Sequence, residues 1–186
     1  YKKPLLVSCT DGVGTKALLA AQTGRVRGLG QDLVAMNVND LICTGGDPYF
    51  FLDYWASGKL DLQLVQEFLT GVREACAKSE CLLIGGETAE MPGLYKGREF
   101  DCAGFATGLV DEDFVWGAHR VKTGASIWAF ASSGFHSNGY SLLRQVFEKD
   151  LNNWLDVLLE PTALYVELIQ KVKKAGIPVQ AAAHIT

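Results

Sequence analysis

The chain of 186 residues is poor in the residues that staple or anchor a protein, with five cysteines, three histidines, five prolines and two methionines. No C-x-x-C pair or His/Cys cluster has the spacing of structural zinc. The cysteines (Cys9, Cys43, Cys76, Cys81, Cys102) are odd in number and sit among apolar or small residues. They read as reduced, partly buried thiols of a cytoplasmic protein, and no base stands beside any of them to make a nucleophile. No run approaches the ~18–20 apolar residues of a membrane span, and no basic, then apolar N-terminus reads as a secretory signal. Charge of one sign is also missing: 17 Lys and Arg oppose 21 Asp and Glu, a net charge of −4. Such a chain has no basic field to draw it onto nucleic acid or an anionic membrane.

What remains is globular, since 48% of residues are hydrophobic and 20% charged. Twenty glycines exceed the background of about 7%, and they gather at apparent junctions between strands and helices. Pro4–Cys9 predicts a strand, Asp11–Gly14 a glycine corner, and Thr15–Thr23 a helix stopped by Gly24. Asp32–Thr44 predicts a helix buried all round, closed by Gly45-Gly46-Asp47-Pro48, and Tyr49–Ala56 an interior strand. Leu62, Val65, Phe68, Leu69, Val72 and Cys76 have helical spacing behind an Asp61 N-cap. Strands follow at Cys81–Ile84 and Phe100–Val110. Beyond a polar stretch near 120–124 the pattern restarts, with strands at Ser126–Ala131 and Val179–Ala183 and helices at Asn138–Glu148 and Pro161–Ala175. The alternation predicts an α/β fold. The chain opens without Met and stops at Ala183-His184-Ile185-Thr186, and so reads as a portion of a longer protein.

Three corners could carry chemistry. Asp11-Gly12-Val13-Gly14-Thr15-Lys16 offers a carboxylate, permissive backbone, a hydroxyl, a cation and the amides of the next helix. It is neither a Walker loop nor G-x-G-x-x-G, and a tight turn capped by Asp11 reads equally well. Asp32, Asn37 and Asp40 lie in an otherwise apolar helix, where carboxylates are costly unless paired or bound to metal. Capping by Asp32 and a salt bridge at Asp40 form the plainer alternative. Gly85-Gly86-Glu87-Thr88-Ala89-Glu90 is a third acidic corner, readable either as surface loop or as part of a site at strand ends. Together these suggest carboxylates converging on Mg²⁺, with Lys16 and backbone amides taking phosphates. Ser132–Gly139 adds hydroxyls, His136 and Asn138 at a helix start, an inventory for anions; it lacks the elbow and orienting acid of a serine hydrolase.

At these residues the chain resembles the phosphoribosylformylglycinamidine cyclo-ligases, or aminoimidazole ribonucleotide (AIR) synthetases, of purine biosynthesis. The motifs are Thr10-Asp-Gly-Val-Gly-Thr-Lys16, Asp32-Leu-Val-Ala-Met-Asn-Val-Asn-Asp40, Phe50-Phe-Leu-Asp-Tyr54, Gly85-Gly-Glu-Thr-Ala-Glu-Met-Pro-Gly93 and Ser132-Ser-Gly-Phe-His-Ser-Asn-Gly-Tyr-Ser-Leu142, in the family's order. The resemblance implies an N-terminal ATP-binding and dimerisation domain over residues 1–121, its mixed sheet paired with that of a second subunit in a barrel-like core. Residues 122–186 would begin an incomplete C-terminal α/β domain. The family's glycine-rich N-terminal segment has no counterpart here, and the stretch around Asp150-Leu151-Asn152 is short.

The implied reaction is ATP-dependent closure of formylglycinamidine ribonucleotide to aminoimidazole ribonucleotide, through phosphorylation of the formamide oxygen, with release of ADP and phosphate. A homodimer is the implied assembly and ATP and Mg²⁺ the implied cofactors. Asp11, Asp32, Asp40 and Glu87 are expected at the metal. Gly12, Gly14, Thr15, Lys16, Asn37 and Thr88 are expected at the nucleotide, with Asp11, Lys16, Asp40 and Glu87 carrying the catalysis. Ser133, His136, Ser137 and Asn138 are expected at the substrate's phosphate. Another ATP-dependent phosphotransferase of the same superfamily, or a non-catalytic dimerisation or nucleotide-binding fragment, are the alternatives.

Overall fold

A computed structural model describes residues 1–185. The elements run β1 (Pro4–Gly12), α1 (Lys16–Thr23), α2 (Arg27–Ile42), β2 (Asp47–Ser57), α3 (Leu62–Lys78), β3 (Leu82–Glu90), β4 (Phe100–Asp111), α4 (Tyr140–Val146), α5 (Leu151–Leu158) and α6 (Val166–Lys174). The four strands form one mixed sheet in the order β1-β4-β2-β3. The pairs β1–β4 and β2–β4 are antiparallel, and β2–β3 is parallel. The expected α/β class holds, and so do the first three helices.

Helix α2 is apolar all round because it is covered on both sides. Leu33, Val34 and Val38 are buried in a core shared with Phe51, Trp55 and Ala106 of the sheet and with Tyr140, Leu158 and Val166 of the later helices. It starts at Arg27, earlier than the expected Asp32, and passes straight through Gly28 and Gly30. Gly30 permits a close crossing with the helix of Leu62–Lys78, whereas Gly28 faces Pro161 and the Leu159 carbonyl. A Cβ on Gly30 would lie 2.3 Å from the Phe68 carbonyl oxygen, and one on Gly71 would lie 1.9 Å from that of Arg27. Helix α3 begins as its spacing predicts, with the Asp61 carboxylate accepting from the Leu64 N–H at 3.2 Å.

The second region departs from expectation. Ser126–Ala131 and Val179–Ala183 are irregular, not strands. Ile127 and Trp128 are 97% and 84% exposed, and no strand lies alongside them among the described residues to satisfy their backbone. The helix expected from Pro161 starts only at Val166, and before it the Thr162 N–H and hydroxyl are held by Asp32. Helix α5 was missed, although Leu151, Trp154, Leu155 and Leu158 carry its i, i+3, i+4, i+7 spacing. Strand β3 also runs on through Gly85–Glu90, where a corner was expected.

Candidate nucleotide and metal site

The turn after β1 is open to a ligand. Gly14 has φ +58°, and nothing lies within 4 Å of where its Cβ would stand. Thr15 precedes the first turn of α1, and its hydroxyl lies 3.4 Å from that of Ser141. The glycine turn therefore meets the start of α4, from the second half of the chain. Asp11 is exposed, and its Oδ1 accepts from the Gly12 N–H at 2.8 Å.

Behind the turn, Lys16 and Asp32 are buried with no exposed surface. The Lys16 ammonium donates to Asp32 Oδ1 at 2.9 Å, to the His136 carbonyl at 2.8 Å and to the Glu160 carbonyl at 2.8 Å. Asp32 Oδ1 also accepts from the Thr162 N–H at 2.7 Å and hydroxyl at 2.6 Å. Its Oδ2 faces the same ammonium at 2.8 Å as an ion-pair contact, without a well-aligned hydrogen bond. Burial pulls the Lys16 pKa down, against the opposing pull of Asp32. The structure thus gives Lys16 another task than the expected one, since all three donors are taken and none is left for a phosphate. Asp32 is likewise committed to Lys16 and Thr162.

Asp11 and Asp40 both lie near the Cys9 thiol and help to raise its pKa, but Glu87 stands apart from them. Asp40 reaches out of α2, and its Oδ1 lies 2.9 Å from His184 Nδ1. Glu87 and Thr88 lie exposed on β3 and border a groove of about 920 Å³ between α3 and β3, with Asp53 among its lining residues. Glu87 Oε1 accepts from the Thr88 N–H. Strands β1 and β3 are opposite edges of the sheet, so Asp11 and Glu87 stand about 14 Å apart at three strand spacings. The ladder also separates them by face. Asp11 shares a cross-strand row with Gly104 and Asp53, whereas Glu87 shares the next row with Tyr54 and Ala103. Among the described residues no three His, Cys, Asp or Glu side chains converge on a metal position.

Asn37 lies over Gly104, and its Nδ2 donates to the Leu33 carbonyl at 2.9 Å and the Asp11 carbonyl at 3.3 Å. Its Oδ1 is buried without a partner. Of the expected phosphate ligands, the Ser133 hydroxyl donates to the Pro161 carbonyl and its N–H donates to His136 Nε2. The Ser137 hydroxyl pairs with that of Thr162. Asn138 follows them, half-buried, on the approach to α4. Burial, then the neighbouring His184, lowers the His136 pKa below its usual value, so near pH 7 it is a neutral ring and not a cation.

Sequence reasoning passed over Thr162, Glu160, Tyr140 and His184. Thr162 reaches Asp32, Glu160 reaches Lys16 and His184 reaches Asp40 across 130 to 144 residues, and no local pattern marks a bond of that span; Tyr140 bonds His136, 4 residues away, and Leu158, 18 away. Asp53 was quoted in a motif without a role. It is 8% exposed, its pKa is raised by burial, and a Cβ on Gly86 would collide with its carboxylate.

The model of the AIR synthase related protein N-terminal domain matches residues 2–110, and that of the corresponding C-terminal domain matches residues 122–186. The chain belongs to the AIR synthase related protein family. Within that family it is 45% identical, over its whole length, to a phosphoribosylformylglycinamidine cyclo-ligase from Synechococcus sp. (strain JA-3-3Ab), of which it spans 56%. Its fold is similar to that of thiamine monophosphate kinase from Aquifex aeolicus, at 22% identity and a TM-score of 0.65 over 94% of this chain and 57% of the other. The hydrogenase maturation protein HypE in complex with ATP is similar at 17% identity and a TM-score of 0.63, over 90% of this chain and 48% of the other. These two likenesses establish the AIR-synthase-type fold.

Proposed function

We propose that the protein carrying this chain closes an imidazole ring. ATP phosphorylates the formamide oxygen of formylglycinamidine ribonucleotide, the amidine nitrogen attacks the activated carbon, and phosphate leaves to give aminoimidazole ribonucleotide, with ADP as the other product. The observation that carries this reading is the 45% identity across the whole chain to a cyclo-ligase. The ATP complex of HypE, which has the same fold, supports the nucleotide.

Catalysis of such a transfer is mostly alignment and neutralisation of charge. The open Gly12–Thr15 turn supplies amides, a hydroxyl and the N-terminal end of α1 to phosphate oxygens, with Thr88 also at the nucleotide. Asn37 Oδ1, buried and unpaired, is free to accept from a ligand. The loop from Ser133 to Asn138 takes the substrate's phosphate through backbone N–H groups and the Asn138 amide. Lys16 and Asp32 act from behind the site.

Within one copy, Asp11, Asp32, Asp40 and Glu87 do not fit a single Mg²⁺. A homodimer with the β3 edge of one copy against the β1 edge of another brings Glu87 toward the partner's Asp11, while Asp32 stays with Lys16 and Thr162. Leu6, Leu52 and Phe105 leave the face of the sheet away from α2 and α3 apolar and exposed, which favours covering by a second sheet. We assign residues 1–121 to this nucleotide-binding and dimerisation domain and 122–186 to the start of a second. No helix among the described residues is long and apolar enough to cross a membrane, and a biosynthetic role of this kind belongs in the cytoplasm.

The test is ATP hydrolysis by the full-length protein. It should require formylglycinamidine ribonucleotide and yield aminoimidazole ribonucleotide in equal amount. Turnover with thiamine monophosphate instead would favour a kinase of the same fold, the second reading that the likeness to thiamine monophosphate kinase allows. Mixing inactive Asp11→Asn and Glu87→Gln dimers should restore about a quarter of the activity if sites are shared, because half the dimers are then mixed and each holds one intact site. No recovery would mean that Asp11 and Glu87 do not complete one site across the dimer.

A further inference from the structure

The partners of Lys16 come from both halves of the chain. Asp32 lies on α2, whereas the His136 and Glu160 carbonyls lie just before α4 and just after α5. Asp32 in turn holds the Thr162 N–H and hydroxyl, and the Thr162 hydroxyl lies 3.2 Å from that of Ser137. The Tyr140 hydroxyl donates to the carbonyls of His136 and Leu158, and the Lys16 ammonium sits 5.5 Å from the Tyr140 ring centroid. His136 has φ +54°, a region L side chains rarely adopt, and two donors grip its carbonyl.

A buried Lys–Asp pair is a poor source of stability, because both ions lose their water and apolar residues of similar volume often do as well. Its distinctive contribution is geometry, since fixed donors and acceptors satisfy one another in a narrow set of arrangements. Here the bonds tie α1 and α2 to 136–140 and 158–162.

We propose that Lys16, Asp32 and Thr162 form a polar latch that fixes the 133–139 loop beside the Gly12–Thr15 turn, so that both loops grip one ribonucleotide. All three are positioning residues, since their polar groups are turned to one another and sealed from solvent. The ligand's identity rests on the function proposed above; the latch does not.

The decisive comparison uses the full-length protein with Thr162→Val, which keeps the shape and removes the hydroxyl, and Thr162→Ser, which keeps the hydroxyl. Losing bonds to a buried carboxylate should speed hydrogen exchange of the 133–139 amides about tenfold in the unliganded protein, leaving the β1–β4 ladder unchanged. The KM for formylglycinamidine ribonucleotide should rise about tenfold, with kcat and the KM for ATP within about twofold. Thr162→Ser should restore both. Unaltered loop exchange in a folded Thr162→Val protein overturns the latch, and so does a Thr162→Ser protein that behaves like the Val variant. A Lys16→Met protein with a raised KM for ATP and unaltered loop exchange would make Lys16 a nucleotide ligand instead. If the wild-type protein does not turn over the amidine yet Thr162→Val still frees the loop, the functional reading falls and the latch stands.

Discussion

The two regions of the chain are held by different forces. Residues 4–111 form a sheet whose strands alternate, with Phe100, Cys102, Ala106 and Val110 turned to the core and α2 and α3 laid over them. Residues 126–185 contribute three short helices and long irregular stretches. They join the first region through Leu158, Val166 and Tyr140 in the shared core and through the Lys16–Asp32–Thr162 network. The first region is specified by its own periodicity and the second by where its polar groups find partners. A polar latch suits a surface that must hold a loop in one place more than it must be stable.

The sharpest way to break that contrast is to cut the latch. Lys16→Met leaves Asp32 buried and unpaired, so chemical denaturation should show a loss of about 3–5 kcal/mol. Adding Asp32→Leu should recover most of it, and failure to recover would mean that the pair contributes stability in its own right. Gly71→Ala strikes the first region instead, forcing α2 and α3 apart at the Arg27 carbonyl. The expected loss is about 1–3 kcal/mol, and an unchanged midpoint would show the helices free to slide. Asp61→Ala removes one cap at the start of α3 and should cost about 1 kcal/mol in the same measurement.

Acid should reveal the second region before the first. His136 is held neutral by burial, with His184, Asp32 and Lys16 as the charged or titratable groups around it. Its folded pKa lies below the unfolded value, so the unfolded chain binds the extra proton first. Stability from this group is complete above about pH 6.5 and falls as pH drops below it. Thermal melts of a His136→Gln variant should show a shallower acid slope than wild type. The mildest expectation concerns the thiols. Burial pushes Cys9 and Cys43 up to about 11 and Cys76 and Cys81 up to about 12. The native protein should therefore react only slowly with a thiol reagent at pH 8, and fast labelling would mean that these regions open.

The legible part of the molecule was the part with a short-range signal. The α3 stripe and its Asp61 cap, the αL glycine ending α1 and the all-apolar α2 are local patterns, and each gave its element. Where the signal was ambiguous the reading erred. The helix expected from Asp32 begins at Arg27 and takes in Gly30, which crosses α3 closely, while Gly85-Gly86 looked like a corner and continues a strand. Ser126–Ala131 has strand composition but no partner strand among the described residues, and composition cannot supply the other half of a ladder.

The site divides the same way. The identity of the acidic and glycine-rich motifs, and with it the family, is written in the order of residues along the chain, because those motifs are local. Folding alone decided that Lys16 and Asp32 face each other and Thr162 in a sealed interior, while Asp11 and Glu87 stand at opposite edges of the sheet. A charge goes where burial leaves it a partner. In this chain those partners lie up to 144 residues away, and only the packed structure brings them within bonding distance.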